Sequence, residues 1–127
     1  MVCTTKINGK ERTLNLDVNQ NGFIYQKDEC RATDGKYLLV GIHNENSGCF
    51  NFLEMVLVYD LETDNYKLVR VWDDIGTRPF SEKSKLISIV YEDGNFVVSS
   101  KNKKAYIYPN IIMAKDTCCK YAQKLFG

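Results

Sequence analysis

The sequence predicts a mainly β domain of α+β class: an antiparallel β-meander of about seven or eight strands, packed by one C-terminal helix. A curved sheet, a sandwich and a partly open barrel all satisfy that pattern. Three observations predict it. The stretch Glu54–Trp72, EMVLVYDLETDNYKLVRVW, reads as two apolar strands around a polar turn. Asn8-Gly9, Asp34-Gly35 and Asp93-Gly94 stand between β-branched and aromatic runs, as tight turns do. Only the last stretch, from Ile111, repeats apolar residues at helical spacing. At 127 residues the chain is read as a single domain, 1–127, with the meander over 2–108 and the helix over 111–126.

The central stretch comes first because it carries apolar side chains on both faces. Met55, Leu57, Tyr59 and Leu61 share one face and Val56 and Val58 the other, the pattern of a strand inside a packed sheet. Glu62-Thr63-Asp64-Asn65 supplies the turn, with Asn65 the expected left-handed residue, and Tyr66, Leu68, Val69, Val71 and Trp72 return. Upstream, Val2–Ile7 and Lys10–Val18 flank Asn8-Gly9 as an outer hairpin whose Leu14, Leu16 and Val18 alternate with polar residues. Phe23, Ile24 and Tyr25 form a short strand, and Tyr37–Ile42 a second interior one.

The polar run His43–Gly48, HNENSG, predicts a loop. Downstream, Asp73–Lys85, DDIGTRPFSEKSK, is the longest interruption; loops of this length in compact domains are functional or mobile. Leu86–Tyr91, Phe96–Ser100 and Ala105–Tyr108 complete the meander, with the basic tip Lys101-Asn102-Lys103-Lys104 before the last strand. Pro109 ends that strand. Asn110 is placed to cap a helix in which Ile111, Ala114, Cys118, Ala122 and Leu125 form the apolar stripe.

Composition narrows the class. A chain 44% hydrophobic with only 2 Pro is not a disordered segment, and 8 Tyr, 6 Phe and 1 Trp favour strands. No apolar run approaches a membrane span, so no membrane partner is expected. The five cysteines are odd in number, lack a Cys-x-x-Cys pair and accompany no glycosylation sequon, which predicts free, mostly buried thiols in a reducing, cytoplasmic compartment. Net charge is +1 but uneven. Residues 45–74 hold two basic residues against seven acidic, a net of −5, while 101–127 hold six basic against one acidic, a net of +5. Opposite poles of this kind suit a homo-oligomer.

Motifs for catalysis are missing. One histidine leaves no HExxH and no second imidazole for a catalytic zinc, and there is neither a phosphate-binding loop nor a GxGxxG fingerprint. His43 and Cys49 lie across one loop, and Asp73-Asp74 with Glu82 or Glu45 could pair carboxylates, but polar loops hold such pairs by composition alone. No cofactor or metal is expected, and no catalytic residue is assigned. The binding candidates are Asp73, Asp74, Arg78 and Phe80 in the long loop and Lys101, Lys103 and Lys104 at the basic tip. Arg and Phe are residue types that anchor interfaces, and Pro79 between them limits the entropy lost on binding. The lysines beside Tyr106 and Tyr108 are of the types that neutralise phosphates and stack bases.

The segment VYDLETDNYKL resembles the strand-turn-strand of a β-propeller blade, in which a tyrosine-aspartate pair precedes the turn. The resemblance covers about a dozen residues, and closing a propeller takes several blades. The sequence therefore points to a non-catalytic interaction module that binds another protein, of the small inhibitor or sequestering kind that phages and mobile elements encode. The alternatives are a small-ligand or nucleotide-binding β-barrel and, after it, a nucleic-acid-contacting protein using the basic C-terminal third. A small hydrolase stands behind all three.

Overall fold

The computed structural model describes residues 2–15, 22–24, 28–45, 52–71, 86–101, 103–114 and 120–121. Among these residues eleven strands run in chain order: β1 (Val2–Ile7), β2 (Lys10–Asn15), β3 (Gly22–Ile24), β4 (Arg31–Thr33), β5 (Tyr37–Glu45), β6 (Phe52–Asp60), β7 (Tyr66–Arg70), β8 (Leu86–Glu92), β9 (Asn95–Ser100), β10 (Lys104–Ile107) and β11 (Lys120–Tyr121). A 3-10 turn, Asp28–Cys30, precedes β4, and the helix α1 (Pro109–Ala114) follows β10.

Three sheets result. The large one has the order β11-β7-β6-β5-β3, with β4 beside β3 on the same edge of β5; the others are β10-β9-β8 and the hairpin β1-β2. All pairings are antiparallel except β11 with β7. The predicted class holds, as layered sheets with no closed barrel among the described residues.

The nine-residue ladder from Tyr37↔Asp60 to Glu45↔Phe52 makes β5 and β6 the centre. Period-two alternation then sends their side chains into two separate cores. Leu39, Val56, Val58 and Val69 pack with Ile89, Phe96, Val98, Ala105 and Ile107 of the three-stranded sheet and Ile112 of α1. Leu38, Val40, Ile42, Met55, Leu57 and Tyr59 pack on the opposite face with Leu14 of β2. The large sheet is thus the middle layer, between the β1-β2 hairpin and the three-stranded sheet with α1.

Two expected turns form as read. Asn8 and Gly9 have φ of 52° and 80°, Asp93 and Gly94 of 52° and 81°, both pairs left-handed as a type I′ turn requires. In the central turn the left-handed residue is Asp64, φ 61°, rather than Asn65. The Asp60 amide donates to the Asn65 carbonyl at 2.8 Å and the Asp64 amide to the Asp60 carbonyl at 2.9 Å, so the loop closes one residue earlier than expected.

Other expectations need correction. His43–Glu45 is not loop but the end of β5, with His43 paired to Glu54 and Phe23. Strand pairing on both sides outweighs the polar composition. Pro109 opens α1 instead of merely ending a strand: its missing N–H costs nothing at the first helical position, and the Tyr108 carbonyl accepts from Ile111 and Ile112 at 3.1 and 3.2 Å. The helix is described only to Ala114, and Lys120 and Tyr121, placed within the expected helix, pair in parallel with Val69 and Arg70. The open edge of β7 offers backbone partners that override local periodicity there.

Beyond the expected strands, β4 extends the line of β3 along β5. Ile24 lies opposite Ile42 and Arg31 opposite Val40, so the chain leaves this edge opposite Gly41 and returns to it. The 3-10 turn at the return buries Cys30 between the sheets, where its Sγ donates to the Ile87 carbonyl at 3.4 Å.

Candidate functional site

Asp73, Asp74, Arg78 and Phe80, with the rest of the 73–85 loop, lie outside the described residues. So does Cys49, the proposed companion of His43. The basic tip is described at Lys101, Lys103 and Lys104, in the β9–β10 connection. The Ser100 amide donates to the Lys103 carbonyl at 2.8 Å, closing the turn so that Lys101 and Lys104 stand exposed while Lys103 is half-buried.

Register shows what these lysines join. On the inner face of the three-stranded sheet, Ile89, Val98 and Ala105 form one cross-strand row, and Tyr91, Phe96 and Ile107 the next. The outer face carries three other rows: Ser88, Ser99 and Lys104; Val90, Val97 and Tyr106; Glu92 and Asn95. The middle row is apolar although it faces away from both cores. Val90 is 40% exposed and Tyr106 half-buried, while Val97 between them falls to 4%.

This face is electrostatically polar as well. Its β9–β10 corner holds Lys101 and Lys104; the diagonally opposite β8–β9 corner holds Glu92 and Asp93, all four exposed. None of the four has an ion-pair partner among the described residues. Along the flank, a register shift between Leu86 and Ser88 sets Ile87 apart from the ladder, and it stands 51% exposed. The structure therefore joins Lys101 and Lys104 to Tyr106, Val90 and Glu92, and leaves the loop residues unplaced.

Comparison with protein-family models, curated proteins and solved structures finds no match.

Two further polar clusters lie away from this face. Arg12 of β2 reaches the central turn, with Nη2 2.6 Å from Asp64 Oδ1 and Nη1 donating to the Leu61 carbonyl at 3.2 Å. The Tyr59 hydroxyl donates to the same Asp64 oxygen at 2.7 Å, and its ring stacks on Tyr66 at 6.2 Å. Burial, and then the hydrogen bond and charge of Asp64, push the Tyr59 hydroxyl up to about 12. This cluster ties the outer hairpin to the middle layer.

A polar groove of about 480 Å³ runs along β1, lined by Thr4, Thr5, Lys6, Glu11, Asp28 and Arg31. Because Ile7 and Lys10 flank the tight turn as a hydrogen-bonded pair, Thr4 turns its backbone groups away from β2. Arg31 Nη1 accordingly donates to the Thr4 carbonyl at 3.1 Å, pinning the hairpin to β4 across the groove floor.

Among the described residues no three His, Cys, Asp or Glu side chains gather as metal ligands would. No described helix is long and apolar enough to cross a membrane.

Sequence reasoning found the lysines and Tyr106 but missed Val90 and Glu92 as their companions. The signal was present in the alternation Ser88, Val90, Glu92 along β8, once Ile87 is recognised as the irregular residue.

Proposed function

We propose that the protein is a non-catalytic interaction module that binds another protein, with the outer face and flank of β8-β9-β10 as its binding surface. One observation carries this reading. Of the four large apolar side chains exposed among the described residues, Ile87, Val90 and Tyr91 all belong to β8, Val90 on the outer face, Ile87 on the flank and Tyr91 at the rim next to Glu92. Scattered exposed apolar residues are ordinary, whereas three on one edge strand mark a contact surface. The candidate loop residues Asp73, Asp74, Arg78 and Phe80 precede this strand in sequence and are tested with it below.

A protein fits this face better than a nucleic acid. Nucleic-acid platforms offer several stacked aromatics on a uniformly cationic surface. Here Tyr106 is the aromatic of the three rows, and Glu92 and Asp93 occupy one corner. The polar groove along β1 favours a small-ligand reading, but its cations and carboxylates are balanced and it lacks the apolar lining typical of such sites.

The test is affinity capture from the native host, followed by titration of the captured protein after its purification. Val90→Asp and Tyr106→Ala should each weaken binding by about 1–3 kcal/mol while leaving the melting temperature nearly unchanged. Equal affinity of both variants and the parent chain would remove this face from the proposal. Phe80→Ala and Arg78→Ala, made singly, report whether the loop takes part.

A further inference from the structure

We infer that the partner of this face is a second copy of the same chain, docked face to face about a two-fold axis. The inference rests on the interaction reading above and names its partner. A surface that binds itself across a two-fold must be self-complementary, because every contact occurs twice with the roles exchanged. The outer face meets that condition. Its apolar row Val90, Val97 and Tyr106 crosses the middle. Lys104 and Lys101 lie at one corner and Glu92 and Asp93 at the diagonal one. A two-fold axis in the plane of contact, passing over Val97 and perpendicular to the diagonal between these corners, makes the two apolar rows cross at Val97. It also sets the lysine corner of each copy on the carboxylate corner of the other. All four charged side chains are exposed and without an ion-pair partner among the described residues, so docking does not break an existing pair.

The size of the face fixes the strength. With strands about 4.8 Å apart and a rise of about 3.3 Å per residue, strands of seven, six and four residues cover about 270 Å² in projection. Stable complexes bury about 800 Å² per partner, so the pair is weak, reversible and concentration-dependent. The exposed charges make it salt-sensitive as well.

Sedimentation velocity of the full chain across a wide concentration range, at low and high salt, tests this. The wild type should move from monomer to dimer with rising concentration, and less readily in high salt. Lys104→Glu and Glu92→Lys each place like charges at both corners and should weaken the dimer on the order of tenfold or more. Mixing these two variants should restore association, because each then offers the charges the other needs at both contacts. Such rescue does not arise from misfolding or from a different interface. A wild type that stays monomeric up to about 1 mM, well above the affinities of stable complexes, overturns the inference. So does a dimer indifferent to Lys104→Glu, Glu92→Lys and Val90→Asp. If the chain is monomeric while Val90→Asp abolishes binding to a different captured protein, self-pairing fails and the interaction reading stands. If the chain is monomeric and Val90→Asp changes no binding, both fail together.

Discussion

The hairpins β6–β7 and β8–β9 are alike in sequence and unlike in place. Each runs from a tyrosine and an acidic residue, through a polar turn, to an asparagine, an aromatic and a Val-bearing return: Tyr59-Asp60 to Asn65-Tyr66, and Tyr91-Glu92 to Asn95-Phe96. In the first, neighbours cover both faces, Tyr59 is only 6% exposed, and its hydroxyl is held by Asp64. In the second, one face joins the core and the other is open. Tyr91, 44% exposed, tilts against Phe96 at 4.9 Å at the rim. The same local code thus makes a scaffold where sheets lie on both sides and a presenting surface where one side is free.

The sharpest way to break this comparison is to truncate one residue on each face of the same sheet. Phe96, 1% exposed in the inter-sheet core, should cost about 3–5 kcal/mol on replacement by alanine. Val90→Ala, one ladder position away on the outer face, should change stability by about 0.5 kcal/mol or less. Urea denaturation of both variants decides. Comparable losses would mean that Val90 is covered, and the presenting surface would not exist.

The helix offers a smaller test of the same division. Ile112 packs into the core that joins the large sheet to the three-stranded one, whereas Ile111 beside it is exposed. Ile112→Ala should cost about 2–4 kcal/mol and Ile111→Ala about 0.5 kcal/mol or less. Equal costs would show that α1 is not oriented as described.

These contrasts mark how far the sequence could be read. Val56 and Val58 against Met55, Leu57 and Tyr59 announced a strand buried on both faces, because period-two alternation needs nothing beyond the chain itself. Arg31-Ala32-Thr33 announced nothing. Three residues of mixed polarity become a strand only because the open edge of β5 is there to pair with them. Lys120-Tyr121 was misread for the same reason, its pairing being supplied by β7. The candidate site divides in the same way. The lysines and Tyr106 could be picked out by residue type, but joining them to Val90 and Glu92 required the register of two hairpins, which depends on one irregular residue in β8. Asp73, Asp74, Arg78 and Phe80 lie beyond the described residues, and their role rests on residue type alone.

Turn chemistry separates the two hairpins by a lesser amount. Gly94 has φ of 81° and open space where a Cβ would stand, so Gly94→Ala suffers only backbone strain, about 1–2 kcal/mol. Thermal unfolding should show that loss with no change in the melting profile's cooperativity. A neutral substitution would mean that the turn relaxes to another type.

The central turn is held by side chains instead, and the smallest effect belongs to its tyrosine. Tyr59→Phe removes one hydrogen bond to Asp64 and should cost about 0.5–1.5 kcal/mol at neutral pH. Its signature lies at high pH. Burial first, and then the Asp64 carboxylate, raise the Tyr59 hydroxyl from the ordinary 10.0 to about 12, so the folded chain holds this proton more tightly than the unfolded one. That contribution is complete below pH 10 and is lost as pH rises through 12. Other tyrosines titrate in the same range, but they are common to both proteins and cancel in the difference. Stability of wild type minus Tyr59→Phe, measured by denaturation at steps from pH 9 to about 12, should therefore shrink across this window. A difference that stays constant through the window would show that Tyr59 ionises as freely in the fold as outside it, and that the Arg12, Asp64 and Tyr59 cluster does not set the central hairpin apart from its exposed counterpart.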